Sequence, residues 1–123
     1  MKLSKLLALA VLVSGLALSV WAGPIDGTWK SDFSSPVGDM HYIYTFKTNG
    51  DKVSGTAKSD NGETTLDKVV VTGNDISFTE NLMFGGMTIA IDYKGTIDGD
   101  QIKFKRHIGD FGDDEIVANR VKQ

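Results

Sequence analysis

Cysteine is absent from all 123 residues. That excludes disulfides and thiol chemistry and leaves stability to apolar burial and strand pairing. Helical periodicity is lacking too, since no stretch beyond residue 23 repeats its apolar residues every three to four positions. Basic residues are few. Two of the 13, Lys2 and Lys5, lie among residues 1–22, leaving 11 against 16 acidic residues, a balance of −5. Such a chain is unsuited to gripping a phosphate backbone, which takes clustered Lys and Arg, so no nucleic-acid partner is expected. Histidine occurs at His41 and His107 alone. With no cysteine and no nucleophile motif beside them, neither a metal site nor a hydrolytic triad is expected.

The first 22 residues read as a signal peptide. Lys2 and Lys5 precede an apolar run from Leu6 to Val20, and Val20-Trp21-Ala22 supplies permissive residues for cleavage before Gly23. The run is short for a membrane span of about 20 residues, and no cysteine follows it to carry a lipid. The sequence therefore predicts a periplasmic or secreted protein, free of the membrane after cleavage, with residues 23–123 forming one domain.

Turn chemistry punctuates that domain at Asn49-Gly50, Asn61-Gly62, Gly73-Asn74, Gly85-Gly86 and Gly99-Asp100. These pairs accept the positive φ of tight hairpins. With looser loops at Ser34-Ser35-Pro36 and 109–113, they divide the chain into eight strands: 27–33, 38–48, 51–59, 64–72, 75–84, 87–97, 101–108 and 114–122. Val71 to Phe78 and Ile97 to Phe104 share the pattern apolar-x-Gly-x-x-Ile-x-Phe, a hairpin used twice. A meander of eight strands has two exposed edges unless the first pairs with the last. The expectation is an all-β, eight-stranded antiparallel up-and-down β-barrel, closed without disulfides.

Alternation sorts each strand into two faces. The inward sets are Met40, Tyr42, Tyr44 and Phe46; Ile76, Phe78, Glu80, Leu82 and Phe84; Met87, Ile89, Ile91, Tyr93, Gly95 and Ile97; and Ile102, Phe104, Arg106 and Ile108. Glu80 and Arg106 break the apolar rule, and an unpaired buried charge costs several kcal/mol. The hairpins place Glu80 opposite Ile91 and Arg106 opposite Tyr93, at similar height. Asp67 joins them if a three-residue loop after Asp60 turns Asp67, Val69 and Val71 inward. A two-residue loop would turn Leu66, Lys68 and Val70 inward instead. Two readings stand: a structural Glu80–Arg106 pair, or a small-ligand site formed by Tyr42, Tyr44, Phe78, Glu80, Tyr93, Phe104 and Arg106.

Gly27-Thr28-Trp29 on the first strand and Arg120 near the end of the last resemble the signature of the calycins: lipocalins, fatty-acid-binding proteins and avidins. The chain is also similar to small bacterial exported domains with a Gly-x-Trp opening. The resemblance implies that Trp29 and Arg120 stack at the closed end as structural residues. It covers a handful of positions, and the C-terminal helix of lipocalins and the helical lid of fatty-acid-binding proteins are missing.

The opposite end gathers Phe33, Met40, Met83, Phe84, Met87 and Phe111, either plugging the barrel or presenting an apolar rim to a partner. Asp110, Asp113, Asp114 and Glu115 form a solvated acidic loop that matches no calcium-binding pattern. The first functional reading is an exported monomer or weak oligomer, without cofactor, holding a partly apolar, acidic or hydrogen-bonding ligand inside. The alternative is a protein-interaction or hydrolase-inhibitor module acting through the open-end loops. The third is a barrel isomerase, lyase or cyclase with Glu80, or Asp67, as base; nothing in the sequence selects it.

Overall fold

The computed structural model describes residues 23–36 and 38–122; residues 1–22, expected to be a signal peptide, lie outside them. The chain forms β1 (Gly27–Ser35), β2 (Gly38–Asn49), β3 (Lys52–Ser59), β4 (Gly62–Thr65), β5 (Asp67–Thr72), β6 (Asp75–Phe84), β7 (Met87–Asp98), β8 (Gln101–Ile108), a 3-10 turn (Gly109–Phe111) and β9 (Asp113–Arg120). All nine strands join one antiparallel sheet in the order β4-β3-β2-β1-β9-β8-β7-β6-β5. Chain neighbours pair as hairpins, and β1 meets β9 through Trp29↔Arg120 and Lys30↔Asn119.

The fourth expected strand is where the structure departs from a ring of eight. Leu66 is buried and donates its backbone N–H to the Gly55 carbonyl at 2.9 Å. Residues before it follow β3, and residues after it follow β6. The result is nine strands in a sheet that no ladder closes. Its two edges, β4 and β5, are consecutive in the chain, with β4 lying near β6 and β3 near β5.

Register is set by the turns. Gly85 (φ 59°) and Gly86 (φ 81°) both take the positive φ that a two-residue type I′ hairpin requires, fixing Leu82↔Ile89 and Glu80↔Ile91. The next hairpin fixes Gly95↔Phe104 and Tyr93↔Arg106. Gly95 leaves room for its partner's ring, because a Cβ there would stand 2.6 Å from Phe104 Cδ1. The inward faces of the strands form one core containing Trp29, Tyr42, Tyr44, Phe46, Phe78, Tyr93 and Phe104. Phe84 and Met87, expected inside, are exposed because they flank the hairpin tip beyond the core.

Asp67 is also exposed, contrary to its expected place beside Glu80. Lys68 takes φ 54°, and the ladder shifts register between Asp67 and Val70. Such a bulge breaks the alternation of faces. Leu66, Val69 and Val71 pack on the core as a result, while Asp67 accepts a 2.7 Å hydrogen bond from Asn81 Nδ2 on the outer surface.

Candidate functional site

The interior is built on an aromatic row. Tyr42, Tyr44 and Phe46 alternate inward along β2, stacked 5.4 and 6.5 Å apart, with Phe33 of β1 stacked on Tyr42 at 5.8 Å. Facing them, Phe78 stacks on Tyr93 at 4.4 Å, and Phe104 meets Tyr93 edge-on at 5.2 Å. At these separations the rings are in contact and contribute packing beyond their area of burial.

The phenol hydroxyls meet the buried charges. Tyr42 donates to Glu80 Oε2 at 2.8 Å and Tyr93 donates to Glu80 Oε1 at 2.6 Å. Since the Tyr93 proton is committed to Glu80, Tyr44 donates to the Tyr93 oxygen at 2.8 Å. Arg106 Nη1 donates to that same oxygen at 3.2 Å. Glu80 and Arg106 are thus linked through Tyr93, and no direct ion pair joins them among the described residues. The ion-pair partner of Arg106 is Asp114, which sits opposite it across β8–β9 and accepts from Nε at 2.8 Å and Nη2 at 2.6 Å. This bidentate geometry is the strongest form of the pair. The guanidinium also lies 4.7 Å from the Phe33 ring centre.

Burial raises the Glu80 carboxyl above the ordinary glutamate range, against the opposing pull of Tyr93, Tyr42 and the Arg106 charge. Burial likewise pushes Tyr42, Tyr44 and Tyr93 up, helped by the negative charge of Glu80 on Tyr42 and Tyr44 and by the neighbouring Tyr44 on Tyr93. For Arg106, burial disfavours the charge, but Asp114 and Tyr93 outweigh it and hold the proton more firmly. Every buried side-chain nitrogen and oxygen among the described residues has a hydrogen-bond partner. Each Glu80 oxygen thus accepts one tyrosine hydroxyl, which anchors the carboxyl within the core.

Of the expected site residues, Tyr42, Tyr44, Phe78, Glu80, Tyr93, Phe104 and Arg106 are brought together, and Asp67 is not. The rim set divides. Phe33 and Met40 pack against the core, Phe33 as the lid over Arg106. Met83 (60%), Phe84 (41%), Met87 (56%) and Phe111 (69%) stand exposed. The first three belong to the β6–β7 hairpin, and Phe111 ends the 3-10 turn, which lies against β7. The acidic loop is partly occupied: Asp113 bonds His107 Nδ1 at 2.6 Å, and Asp114 holds Arg106. Among the described residues no three His, Cys, Asp or Glu side chains converge on a metal position.

At the other end the Arg120 guanidinium lies 4.2 Å from the Trp29 ring centre. Trp29 Nε1 donates to the Ile25 carbonyl at 2.9 Å, and Arg120 donates to the carbonyls of Asp26 (2.6 Å) and Pro24 (2.7 Å). The segment before β1 is folded over this end, with Ile25 fully buried beneath it. Sequence reasoning missed Asp114 as a partner of Arg106, and Ser31, buried beside Trp29 and donating to the Val117 carbonyl at 2.7 Å. Both were available by counting in twos, from Trp29 to Ser31 and back from Ala118 through Ile116 to Asp114. Comparison with family models, curated proteins and solved structures returned no match.

Proposed function

We propose that the chain is an exported protein-interaction module that docks through its open end. The observation that carries this reading is the cluster of four large apolar side chains, Met83, Phe84, Met87 and Phe111, left in solvent at one end of the molecule. Exposed apolar groups concentrated on loop tips mark interaction surfaces more often than scattered ones do. Methionine adapts its shape to the surface it meets, and Gly85 and Gly86 keep the hairpin tip slim enough to enter an apolar cleft. A hydrolase inhibitor would work in this way. The underlying fold we read as a calycin-like barrel, with Leu66 spanning the gap between β4 and β5. The stacked Trp29 and Arg120, and the approach of β4 to β6, support that reading.

The interior-ligand reading draws on the polar cluster around Glu80, but the Phe78, Tyr93 and Phe104 rings occupy the space a ligand would need. The same packing weighs against Glu80 as a catalytic base. A photo-crosslinking amino acid placed at Phe84 or Phe111, with Lys47 as a remote control, tests the proposal in cells of the native host. It expects one defined protein adduct from the rim positions and none from Lys47. Equal or absent labelling, or a small molecule retained by the purified protein in native mass spectrometry, would return the function to the interior.

A further inference from the structure

The outer faces of β5 to β9 carry a second feature, independent of the rim. Two cross-strand rows lie side by side there. One runs Val70, Ser77, Lys94, Lys105, Glu115, and the other Thr72, Asp75, Thr96, Lys103, Val117, each residue directly opposite the next. Their neighbours Ile76, Gly95, Phe104 and Ile116 point into the core, so both rows face solvent. The sheet is bent enough here for the rows to line an open groove of about 700 Å³.

Lysines outnumber carboxylates in this groove three to two, Lys94, Lys103 and Lys105 against Asp75 and Glu115, with Glu115 directly opposite Lys105. Lys94 stands directly opposite Lys105, an arrangement that destabilises a sheet. The next row adds Asp92, which accepts from Thr79 at 2.8 Å, and Asp113, which is paired with His107 at 2.6 Å. None of the ion pairs of the described residues includes Lys94, Lys103 or Lys105. Glu115 and Asp75, the groove's own carboxylates, form no ion pair either. Three free ammonium groups thus gather on one face of a domain whose overall balance is acidic. At the two ends of the groove, Val70 and Val117 are 54% and 42% exposed.

We propose that this groove binds an acidic peptide segment lying across the strands, its carboxylates on Lys94, Lys103 and Lys105 and apolar residues over Val70 and Val117. Five strands spaced roughly 4.8 Å apart span about 19 Å, the length of about six extended residues. The hydroxyls of Thr72, Ser77 and Thr96 serve the peptide's backbone groups. A carboxylated sugar polymer fits less well, because sugar rings stack on aromatic faces and the one aromatic residue lining the groove, Phe104, turns its ring inward. The Lys94–Lys105 opposition then has a use, since an anion between the two side chains relieves their repulsion.

The test is fluorescence anisotropy with a fluorescein-labelled hexapeptide, Val-Glu-Asp-Glu-Asp-Val, and protein purified after expression of the full chain. Saturable binding is expected at low salt, weakened at least tenfold on raising the salt from about 25 to about 300 mM, as screening shortens the reach of the charges. Lys94→Gln with Lys105→Gln should weaken it tenfold or more without loss of fold, checked by the urea midpoint. Glycine in place of both terminal valines of the probe should weaken it several-fold. Phe84→Ser with Phe111→Ser should leave it unchanged, which separates this groove from the rim. Absence of saturation, equal affinity for the lysine double variant, or full competition by an alginate hexamer at equal concentration would overturn the proposal.

Discussion

Replacing Tyr93 by phenylalanine removes one oxygen and leaves the ring's contacts with Phe78 and Phe104 in place. That oxygen takes part in three hydrogen bonds: it donates to Glu80 and accepts from Tyr44 and Arg106. The bond to a carboxylate is worth about 1.5–3 kcal/mol, and stranding the fully buried Tyr44 hydroxyl costs about 1–3 kcal/mol more. Tyr93→Phe should therefore destabilise the fold by about 3–5 kcal/mol. Tyr42→Phe removes a single bond to the same carboxylate, which keeps its Tyr93 donor, and should cost about 1.5–3 kcal/mol. Neither loss exceeds the roughly 5–15 kcal/mol by which such domains are stable, so both variants remain measurable. Urea unfolding followed by the fluorescence of Trp29, buried at the far end, reports the global transition, with stability read from the midpoint at unchanged slope. If the two variants fall within 0.5 kcal/mol of each other, roughly the spread of inconsequential substitutions, Tyr93 is not the hub of the network.

Two further outcomes follow from the core. Gly95→Ala would place a Cβ 2.6 Å from Phe104 and 3.0 Å from Ile102 Cγ2; the overpacking should cost about 1–3 kcal/mol in thermal or urea unfolding, and a neutral result would mean that the Phe104 ring swings aside freely. Glu80 is held above its ordinary range, so the folded chain binds that proton more tightly than the unfolded chain does. Its contribution to stability is present below the unfolded pKa and is lost as pH rises through the elevated folded value. The urea midpoint of Glu80→Gln relative to wild type should accordingly climb as pH rises above the ordinary glutamate value of about 4.3, and a flat difference would show that burial is not what governs Glu80.

Most of the sheet was legible because its information is local. The β6–β7 and β7–β8 registers follow from Gly85-Gly86 and Gly99-Asp100 together with strict alternation, and so does the meeting of Glu80, Tyr93 and Arg106 at one level. Trp29 and Arg120 are adjacent by topology, since strand one begins at the end where the last strand finishes. The illegible parts depend on backbone irregularity. A positive φ at Lys68 moves Asp67 to the surface, a conformation that nothing in a lysine announces. The split at Leu66 comes where its N–H bonds the Gly55 carbonyl at the end of the β3–β4 hairpin, and no turn residue marks that point. The partner of Arg106 was legible by the alternation of β9 and was missed because Asp114 reads as part of a solvated acidic loop.

The β1–β9 ladder joins the two ends of the folded chain, and this bears on how the molecule assembles. The other strand ladders link chain neighbours, so two meanders, β1–β4 and β5–β9, can each zip up from their own turns. Bringing Trp29 to Arg120 closes a loop of 91 residues, at an entropic cost of about 4 kcal/mol from its length alone. Two cross-strand pairs are a small return for that closure. The Ser31–Val117 bond, the Arg120 bonds to Pro24 and Asp26, and the Trp29–Arg120 stack all cross the same junction. They act as a latch on the slow, non-local step of folding, set between the chain ends as a cystine would be in a chain that had cysteine to spend.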